Sequence, residues 1–481
     1  MNLPDLLNNI NYSGNMRNVE ISSVAHDSRK VAKGSLFIAL KGKRSDGYDY
    51  INEAIDNGAS AILANSRKVS ITKEIPIINV ENVRYVMSKI ASNFYNHPSK
   101  NINLIGVTGT NGKTSTCYLI NHILNDNRIS SGSIGTLGYI NPSNIVSTGF
   151  TTPEALDLHQ MIDTSVKGGL KNIVMEISSH SIDMYRVEDI YIDIAVFTNL
   201  TPEHLDFHKT MENYLNSKKK IFKNLNTNKT SVINKDDLYY KKMISGLNSK
   251  IITYGLSSKA DIYSTKYELL EDSINAQISV FGKSIEISTM LVGKYNLYNI
   301  LASIATCYDF GLNLNQISSS LNKFISIPGR LQKIYNKNES LIIIDYAHTP
   351  DAFDNVLRTI RALGYKKVIT LFGCGGDRDK EKRAPMASIA EEYSDTIIVT
   401  SDNPRTENLD EILFDIKLGF KYNKHTIIRN RSEALLYGVK KLGPKSILVI
   451  LGKGVEKYQD VNGIKVPHDD RKIILDAVNE S

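Results

Sequence analysis

Ile105-Gly106-Val107-Thr108-Gly109-Thr110-Asn111-Gly112-Lys113-Thr114-Ser115-Thr116 is the stretch that decides how this 481-residue chain is read. The apolar run before it, Asn103 to Val107, reads as a buried strand. The run after it, Cys117-Tyr118-Leu119-Ile120 with Ile123 and Leu124, has the apolar spacing of a helix. Strand, glycine turn, Lys-Thr and helix together make a phosphate cradle. The glycines let the backbone approach the phosphates, the N–H groups and helix N-terminus point at them, Lys113 reaches the terminal phosphates, and Thr114 can hold Mg²⁺. A common phosphate loop carries a glycine where Val107 stands; here the glycines fall at Gly106 and Gly109, which marks a variant class of loop.

Working outward, a chain of this length predicts roughly three domains at about 150 residues each. With 41% hydrophobic residues it can bury sizeable cores. A net charge of +7 with acids and bases interspersed suits anionic substrates but is no nucleic-acid footprint. Cys117, Cys307 and Cys374 have no metal-like spacing and point to a reducing, cytoplasmic compartment. The N-terminus lacks a signal pattern and no apolar run has membrane-spanning length, so no membrane insertion is expected.

Residues 1–97 read as a short α/β unit without a phosphate loop of its own. Asp27-Ser28-Arg29 sets a hydroxyl and a cation beside a turn, suiting either a phosphate-bearing ligand or an ordinary solvated turn. His97-Pro98-Ser99-Lys100 punctuates the first boundary. From 98 to 329 strands and helices alternate. Lys171–Ile177 and Tyr191–Asn199 read as central parallel strands, whose carboxyl ends are where ligands gather. Glu176 lies near the first end, and Thr201-Pro202-Glu203-His204 after the second reads as a helix start, Thr201 capping and Pro202 at the first turn. Carboxylate and imidazole then converge on the edge that carries Lys113 and Thr114, giving oxygen ligands for a hard cation. His204 and His208 are one turn apart, but without a neighbouring glutamate in the metalloprotease manner or a cysteine they make a poor zinc pair.

Lys218-Lys219-Lys220 reads first as a solvated run. Yet Tyr214, Lys218, Ile221 and Phe222 share one helical face, while Leu215 and Phe222 flank Lys219 equally well, so periodicity leaves open which lysine is buried. A buried lysine would need an acidic partner, a lowered pKa or covalent neutralisation. Asn296 and Asn299 share a face at the start of a further helix and could read a base or cap the helix. Ile327-Pro328-Gly329-Arg330 punctuates the second boundary. Residues 330–481 form a second doubly wound sheet, with strands at 341–345, 367–372, 396–400 and 446–451. Its strand ends carry Asp345-Tyr346-Ala347-His348, Gly373–Lys380, Ser401-Asp402-Asn403-Pro404-Arg405 and Gly452-Lys453-Gly454-Val455-Glu456; four polar endings on one edge point to a ligand site.

These stretches, from Asp27-Ser28-Arg29 to Gly452-Lys453-Gly454, together resemble the Mur ligase family, and within it the members that add meso-diaminopimelate to a UDP-muramoyl dipeptide. The resemblance implies a three-domain α/β protein: a small UDP-sugar-binding domain, a central ATPase-type doubly wound sheet, and a Rossmann-like C-terminal domain bringing the amino acid. It implies ATP and Mg²⁺ as cofactors, small-molecule substrates only, and a monomer. By the same resemblance Gly109, Thr110, Asn111, Gly112, Lys113, Thr114 and Ser115 bind ATP, with Asn296 and Asn299 near the adenine, Asp345 at the ribose and Arg330 near the phosphates. Lys113, Glu176, His204 and Lys218 are the catalytic set. Lys218 matches a lysine carrying a carbamate, an anion able to support Mg²⁺ alongside Thr114, Glu176 and His204. Ser28, Thr151, Thr152, Ser178 and Arg186 match contacts to the UDP-muramoyl dipeptide. Arg378, Asp402, Asn403, Pro404, Arg405, Gly452 and Glu456 match the amino-acid contacts, while Val455, Met184 and Phe150 depart from the family pattern.

The distal end of meso-diaminopimelate carries an amine and a carboxylate. A guanidinium at Arg405 can fork onto that carboxylate, Glu456 can take the amine, and a lysine substrate would set two cations together. Pro404 holds the backbone that presents Arg405. The reaction so implied activates the D-glutamyl γ-carboxylate as an acyl phosphate, which the amine attacks. The nearest alternatives are a lysine-adding ligase and a folylpolyglutamate synthetase; a non-enzymatic P-loop regulator or a nucleic-acid motor is the alternative of a different class.

Overall fold

Three separate sheets organise the computed structural model, which describes residues 1–15, 17–42, 45–65, 71–142, 144–257, 259–337, 339–422 and 424–479. The first has five strands among the described residues, in the order Ser13–Gly14, Ile77–Asn79, Ala59–Ala64, Ser35–Ile38, Ser23–Ala25, parallel except at its first edge. Alternation splits it between two cores. Leu36, Ile38 and Leu63 pack with Val86 and Ile90 of the helix Val83–Phe94, whereas Phe37 and Ile62 pack with Ile51 and Ile55 on the other face.

The central sheet runs through residues 103–289. Its parallel part has the order Ile262–Leu269, Lys250–Gly255, Thr230–Asn234, Ile194–Phe197, Asn103–Thr108, Asn172–Glu176, Ser131–Gly135, with antiparallel strands added at both flanks. Strand Asn103–Thr108 therefore lies between strands reached in opposite directions along the sheet, the switch point where ligands collect. Both faces are covered. Leu119, Ile120 and Ile123 of helix Lys113–Asp126 pack with Ile300, Leu301 and Ile304 of helix Lys294–Asp309; Leu158, Ile162, Tyr214 and Phe222 cover the opposite side. Strands covered on both faces have to be continuously apolar, which is why they were readable as short runs.

The third sheet has the order Gln332–Lys337, Ser340–Asp345, Ser446–Leu451, Lys367–Phe372, Thr396–Val399, His425–Ile427, with its first edge strand antiparallel. The edge strands Gln332–Lys337 and His425–Ile427 were not among the expected ones; each mixes polar with apolar residues. The α/β class expected from the sequence is the one observed, and a two-stranded ribbon of Tyr458–Val461 and Ile464–Pro467 adds a small further sheet. Among the described residues no helix is long and apolar enough to cross a membrane.

Candidate active site

The glycine turn after Thr108 takes the shape its composition demands. Gly112 caps helix Lys113–Asp126 at φ +86°, and a Cβ there would come within 2.5 Å of Asn299 Oδ1. Thr198 Oγ1 donates to the Asn111 carbonyl at 2.6 Å, and Asn199 Oδ1 accepts from the Asn111 N–H at 2.9 Å. The loop is thus held from the neighbouring strand end. Lys113 Nζ curls back to donate to the carbonyls of Gly109 at 2.9 Å and Thr110 at 2.7 Å. Burial pushes its pKa down, while the Glu203 and Glu176 carboxylates work in the opposite direction. Ser115 is buried in the first turn of the same helix.

Thr114 Oγ1 donates to Glu176 Oε2 at 2.9 Å, and Glu176 Oε1 accepts from the Thr136 N–H at 2.7 Å. Arg330, just ahead of the third sheet, donates from Nη2 to Thr114 Oγ1 at 3.0 Å. A hydroxyl and a carboxylate oxygen thus meet at the phosphate loop, the hard, oxygen-rich donor set that Mg²⁺ takes together with nucleotide phosphates. Among the described residues no group of three His, Cys, Asp or Glu could hold a metal.

Helix Met211–Lys223 separates the two lysines that periodicity could not. Lys218 is 1% exposed and donates from Nζ to the Gly109 carbonyl at 2.8 Å, 4.4 Å from the Tyr214 ring centroid. Lys219, 8% exposed, turns away to the Lys242 carbonyl at 2.5 Å. Desolvating an ammonium costs several kcal/mol. One hydrogen bond to a carbonyl returns about 1.5–3 kcal/mol. Burial therefore wins and, with Lys113 adding repulsion, drives the Lys218 pKa well below its ordinary value.

The helix expected to start at Thr201 and Pro202 does not form. The observed helix is the single turn Leu205–His208, preceded by His204 in the left-handed region at φ 57°. Tertiary contacts override the capping signal: Glu203 is buried beside the loop, with His204 Nε2 and His348 Nε2 each 3.5 Å from its carboxylate. Sequence reading passed over Glu203 and His348, although both stand in quoted motifs. Burial pushes His204 down to about 3, so its ring is neutral at pH 7. His208 is engaged by Ser179 Oγ at 2.9 Å and by Asp183 at 3.3 Å, a packing role that leaves no zinc pair.

Asn296 and Asn299 act less as caps than as a relay. Asn296 Nδ2 donates to the Val292 carbonyl at 2.9 Å, and Asn299 Nδ2 donates to Asn296 Oδ1 at 3.0 Å, beside Gly112. Asp345 is 4% exposed and accepts the N–H groups of Leu331 and Ala347, both at 2.7 Å. Thr152, Ser178 and Arg186 gather next to Glu176. Thr152 Oγ1 donates to the Glu176 carbonyl at 2.9 Å, the Ser178 N–H donates to Thr152 Oγ1 at 3.1 Å, and Arg186 Nη1 donates to the Thr152 carbonyl at 2.9 Å. Thr151 joins through Thr136 Oγ1 at 3.2 Å. Arg186 also pairs with Glu154 at 2.7 Å, which in turn pairs with Arg84 of the N-terminal unit at 3.2 Å. Ser28 stands apart on the first sheet, buried in a 3₁₀ turn capped by Asp27; that sheet also borders a cavity of about 540 Å³ lined by Lys41, Tyr48 and Arg84.

The strand ends of the third sheet converge as expected. Asn403 Nδ2 donates to Glu456 Oε2 at 2.9 Å and the Tyr346 hydroxyl to Glu456 Oε1 at 3.3 Å. Arg405, following Pro404, is left-handed at φ 54°, and Nη1 donates to the Gly376 carbonyl at 2.7 Å. Burial, then the neighbouring Arg405, push the Arg378 pKa down from its ordinary value. Asp402 lies against Gly452, where a Cβ would meet Asp402 Oδ2 at 2.7 Å. Asn111 Nδ2 donates to Asp351 Oδ2 at 2.6 Å, tying the phosphate loop to this third unit.

A phosphate loop at the switch point of one doubly wound sheet, faced by the strand ends of another, defines a multidomain nucleotide-dependent enzyme. The chain matches three family descriptions in order: "Mur ligase family, catalytic domain" over residues 20–95, "Mur ligase middle domain" over 107–307, and "Mur ligase, glutamate ligase domain" over 329–454. It is 39% identical to the UDP-N-acetylmuramoyl-L-alanyl-D-glutamate–2,6-diaminopimelate ligase of Caldanaerobacter subterraneus subsp. tengcongensis, each chain covered in full. A solved structure bearing the same enzyme name matches at TM-score 0.66 and 30% identity, over 96% of this chain and 95% of that one. The fold also matches that of the MurF ligase of Thermotoga maritima in complex with ADP, at TM-score 0.68 and 20% identity over 97% and 99% of the two chains. The chain belongs to the Mur ligase family.

Proposed function

We propose that this ligase joins meso-diaminopimelate to the γ-carboxylate of UDP-N-acetylmuramoyl-L-alanyl-D-glutamate at the expense of ATP, a step of peptidoglycan synthesis. The observation that carries the choice of amino acid is the pair Arg378 and Arg405, whose side chains both lie against Gly375 at the strand ends of the third sheet. Arg378 is driven below its ordinary pKa by burial and by Arg405, a tension that an incoming carboxylate relieves. A diamino acid with a distal carboxylate supplies it; L-lysine does not. The names of these relatives agree with this reading.

We divide the chain into a UDP-sugar domain (1–97), an ATP domain (98–329) and an amino-acid domain (330–481). The γ-phosphoryl of ATP passes to the γ-carboxylate oxygen as its bond to ADP breaks and ADP leaves, converting a poor leaving group into phosphate. The free amine attacks the carbonyl carbon, the tetrahedral intermediate expels phosphate, and the nitrogen loses a proton as the amide forms. Lys113 and Arg330 face the transferring phosphoryl and offset its charge. Thr114 and Glu176 would hold Mg²⁺, which would supply further charge neutralisation. Lys218, favoured as a neutral amine, takes up CO₂ as a carbamate: nitrogen attacks carbon and a proton leaves to solvent. Thr151, Thr152, Ser178 and Arg186 hold the dipeptide end, Ser28 and the cavity beside Arg84 the nucleotide-sugar end. We assign the protein to the cytoplasm as a monomer; its three cysteines are buried and free, as suits a reducing compartment.

The test is ATP turnover read as phosphate release with the UDP-muramoyl dipeptide, comparing meso-diaminopimelate with L-lysine. Release that depends on meso-diaminopimelate is expected. Equal use of L-lysine would overturn the assignment in favour of a lysine-adding ligase.

A further inference from the structure

Lys453 lies inside the quoted strand ending Gly452–Glu456 yet has no place in the chemistry above. It is fully buried, 0% exposed. Its ammonium donates to Asn403 Oδ1 at 2.9 Å and Glu456 Oε2 at 3.2 Å, and stands 3.6 Å from Asp402 Oδ1. All three partners belong to the edge assigned to the amino acid. Asn403 is itself 4% exposed and completes a ring, accepting from Lys453 through Oδ1 and donating through Nδ2 to Glu456 at 2.9 Å. Beneath lies a second buried pair. Arg431 donates to both oxygens of Asp470, at 2.9 and 2.7 Å, and to the carbonyls of Ser401 and Leu451 at 3.2 and 3.3 Å, holding the two strand ends in register.

The charges of this cluster decide what it accepts. Asp470 is matched by Arg431 and by His468 at 2.7 Å, so Asp402 and Glu456 face Lys453 alone, leaving one excess negative charge, the complement of a single ammonium. Without Lys453 the excess is two, and Asn403 Oδ1 keeps only the Asp460 N–H, at 2.9 Å, as a donor. We infer that Lys453 is a positioning and specificity-determining residue: it orients Asn403 and Glu456 for one distal ammonium and keeps the pocket from favouring a substrate with more positive charge. This rests on the reading of the strand ends as the amino-acid site. It also explains why a cation costly to bury is retained there: a hydrocarbon side chain would fill the space but leave two carboxylates crowded without a counter-charge.

The experiment compares wild type, Lys453→Met and Lys453→Arg in phosphate release, varying meso-diaminopimelate, L-lysine, ATP and UDP-muramoyl dipeptide in turn. Hydrogen bonds to charged groups make a loss of about 10- to 100-fold the expected scale. Lys453→Met should raise KM for meso-diaminopimelate by at least about tenfold. KM for ATP and the nucleotide-sugar should stay within about twofold, and the preference for meso-diaminopimelate over L-lysine should fall by about tenfold. Lys453→Arg should recover part of that preference. A parallel rise in all three KM values, or an unchanged preference in an active variant, would show a purely structural lysine. The Lys453→Met/Glu456→Gln double variant, which removes both members of the pair, should be no worse than Glu456→Gln alone; a further tenfold loss overturns the inference, and this comparison decides the matter if Lys453→Met alone does not fold. Absence of any meso-diaminopimelate-dependent turnover in wild type sinks the proposed reaction itself, and the inference with it.

Discussion

Arg330 Nη2 stands 3.0 Å from Thr114 Oγ1, so the segment that opens the third sheet hydrogen-bonds to the phosphate loop 216 positions earlier in the chain. Thr114 in turn donates to Glu176. That guanidinium therefore ties the segment ahead of the third sheet to Thr114 and, through it, to Glu176.

Removing that link should be felt first in nucleotide binding. Arg330→Ala is expected to raise KM for ATP by about tenfold or more, the scale of one charge-assisted hydrogen bond. Arg330→Lys should recover only part, because an ammonium cannot span the same geometry. Phosphate release at varied ATP checks both, and an unchanged KM in Arg330→Ala would contradict the coupling.

Lys218 should make the enzyme sensitive to dissolved CO₂. Its lowered pKa leaves more of the neutral amine that carbamate formation needs. Buffer stripped of CO₂ is expected to lower wild-type kcat several-fold, with bicarbonate restoring it. Lys218→Ala should fall by about 100-fold, the scale seen on removing one preorganised electrostatic group. Its residual rate should not respond to bicarbonate. A wild type indifferent to CO₂ would rule the carbamate out.

Arg405→Ala should raise KM for meso-diaminopimelate by about 10- to 100-fold, with Arg405→Lys recovering little of the loss because a point charge does not fork onto a carboxylate. Steady-state kinetics with saturating ATP and nucleotide-sugar measure it. A variant that retained wild-type KM would move the distal carboxylate elsewhere.

His159 sets an acid limit on stability away from the site. It is fully buried on the helix Ala155–Lys167, and neither ring nitrogen has a hydrogen-bond partner. Burial, helped by the charge of His97, pushes its pKa down to about 3 from an ordinary value of 6.5. Below pH 6.5 the unfolded chain binds the proton and the folded chain does not, so stability is lost as pH falls from 6.5 toward 3. At pH 5 the loss from this group alone is about 2 kcal/mol relative to pH 8. Denaturant melts across that range should show it, and His159→Phe should flatten the same window; an equally steep variant would assign the loss to other groups.

The sequence exposed most where the chemistry is contiguous. Glycines, Lys113, Thr114 and a following helix sit side by side, so the phosphate loop and its strand could be placed without tertiary information. The strand ends of the third sheet were legible for a related reason: apolar runs mark central strands, and polar residues can only begin where the strand leaves the core. The Thr201-Pro202 signal misled because capping preferences amount to about a kilocalorie, too little against the seating of Glu203 beside Lys113. Lys218 and Lys219 looked alike since both face inward; only the Gly109 carbonyl, more than 100 positions away, tells them apart. Lys453 was in plain view inside a glycine-rich ending but had no periodic or spacing signature. Its meaning comes from Asn403, 50 positions upstream.

Strand order in the central sheet has a consequence for biosynthesis. Asn103–Thr108 is flanked by Asn172–Glu176 and Ile194–Phe197, both translated later. At ordinary elongation rates the nascent chain must grow for roughly 5 to 20 seconds after Thr108 before both neighbours exist. During that interval a strand built to be covered on both faces lies open on the ribosome. The first sheet waits far less, because its strands lie within residues 13–79 and the helix Val83–Phe94 that covers one face follows directly.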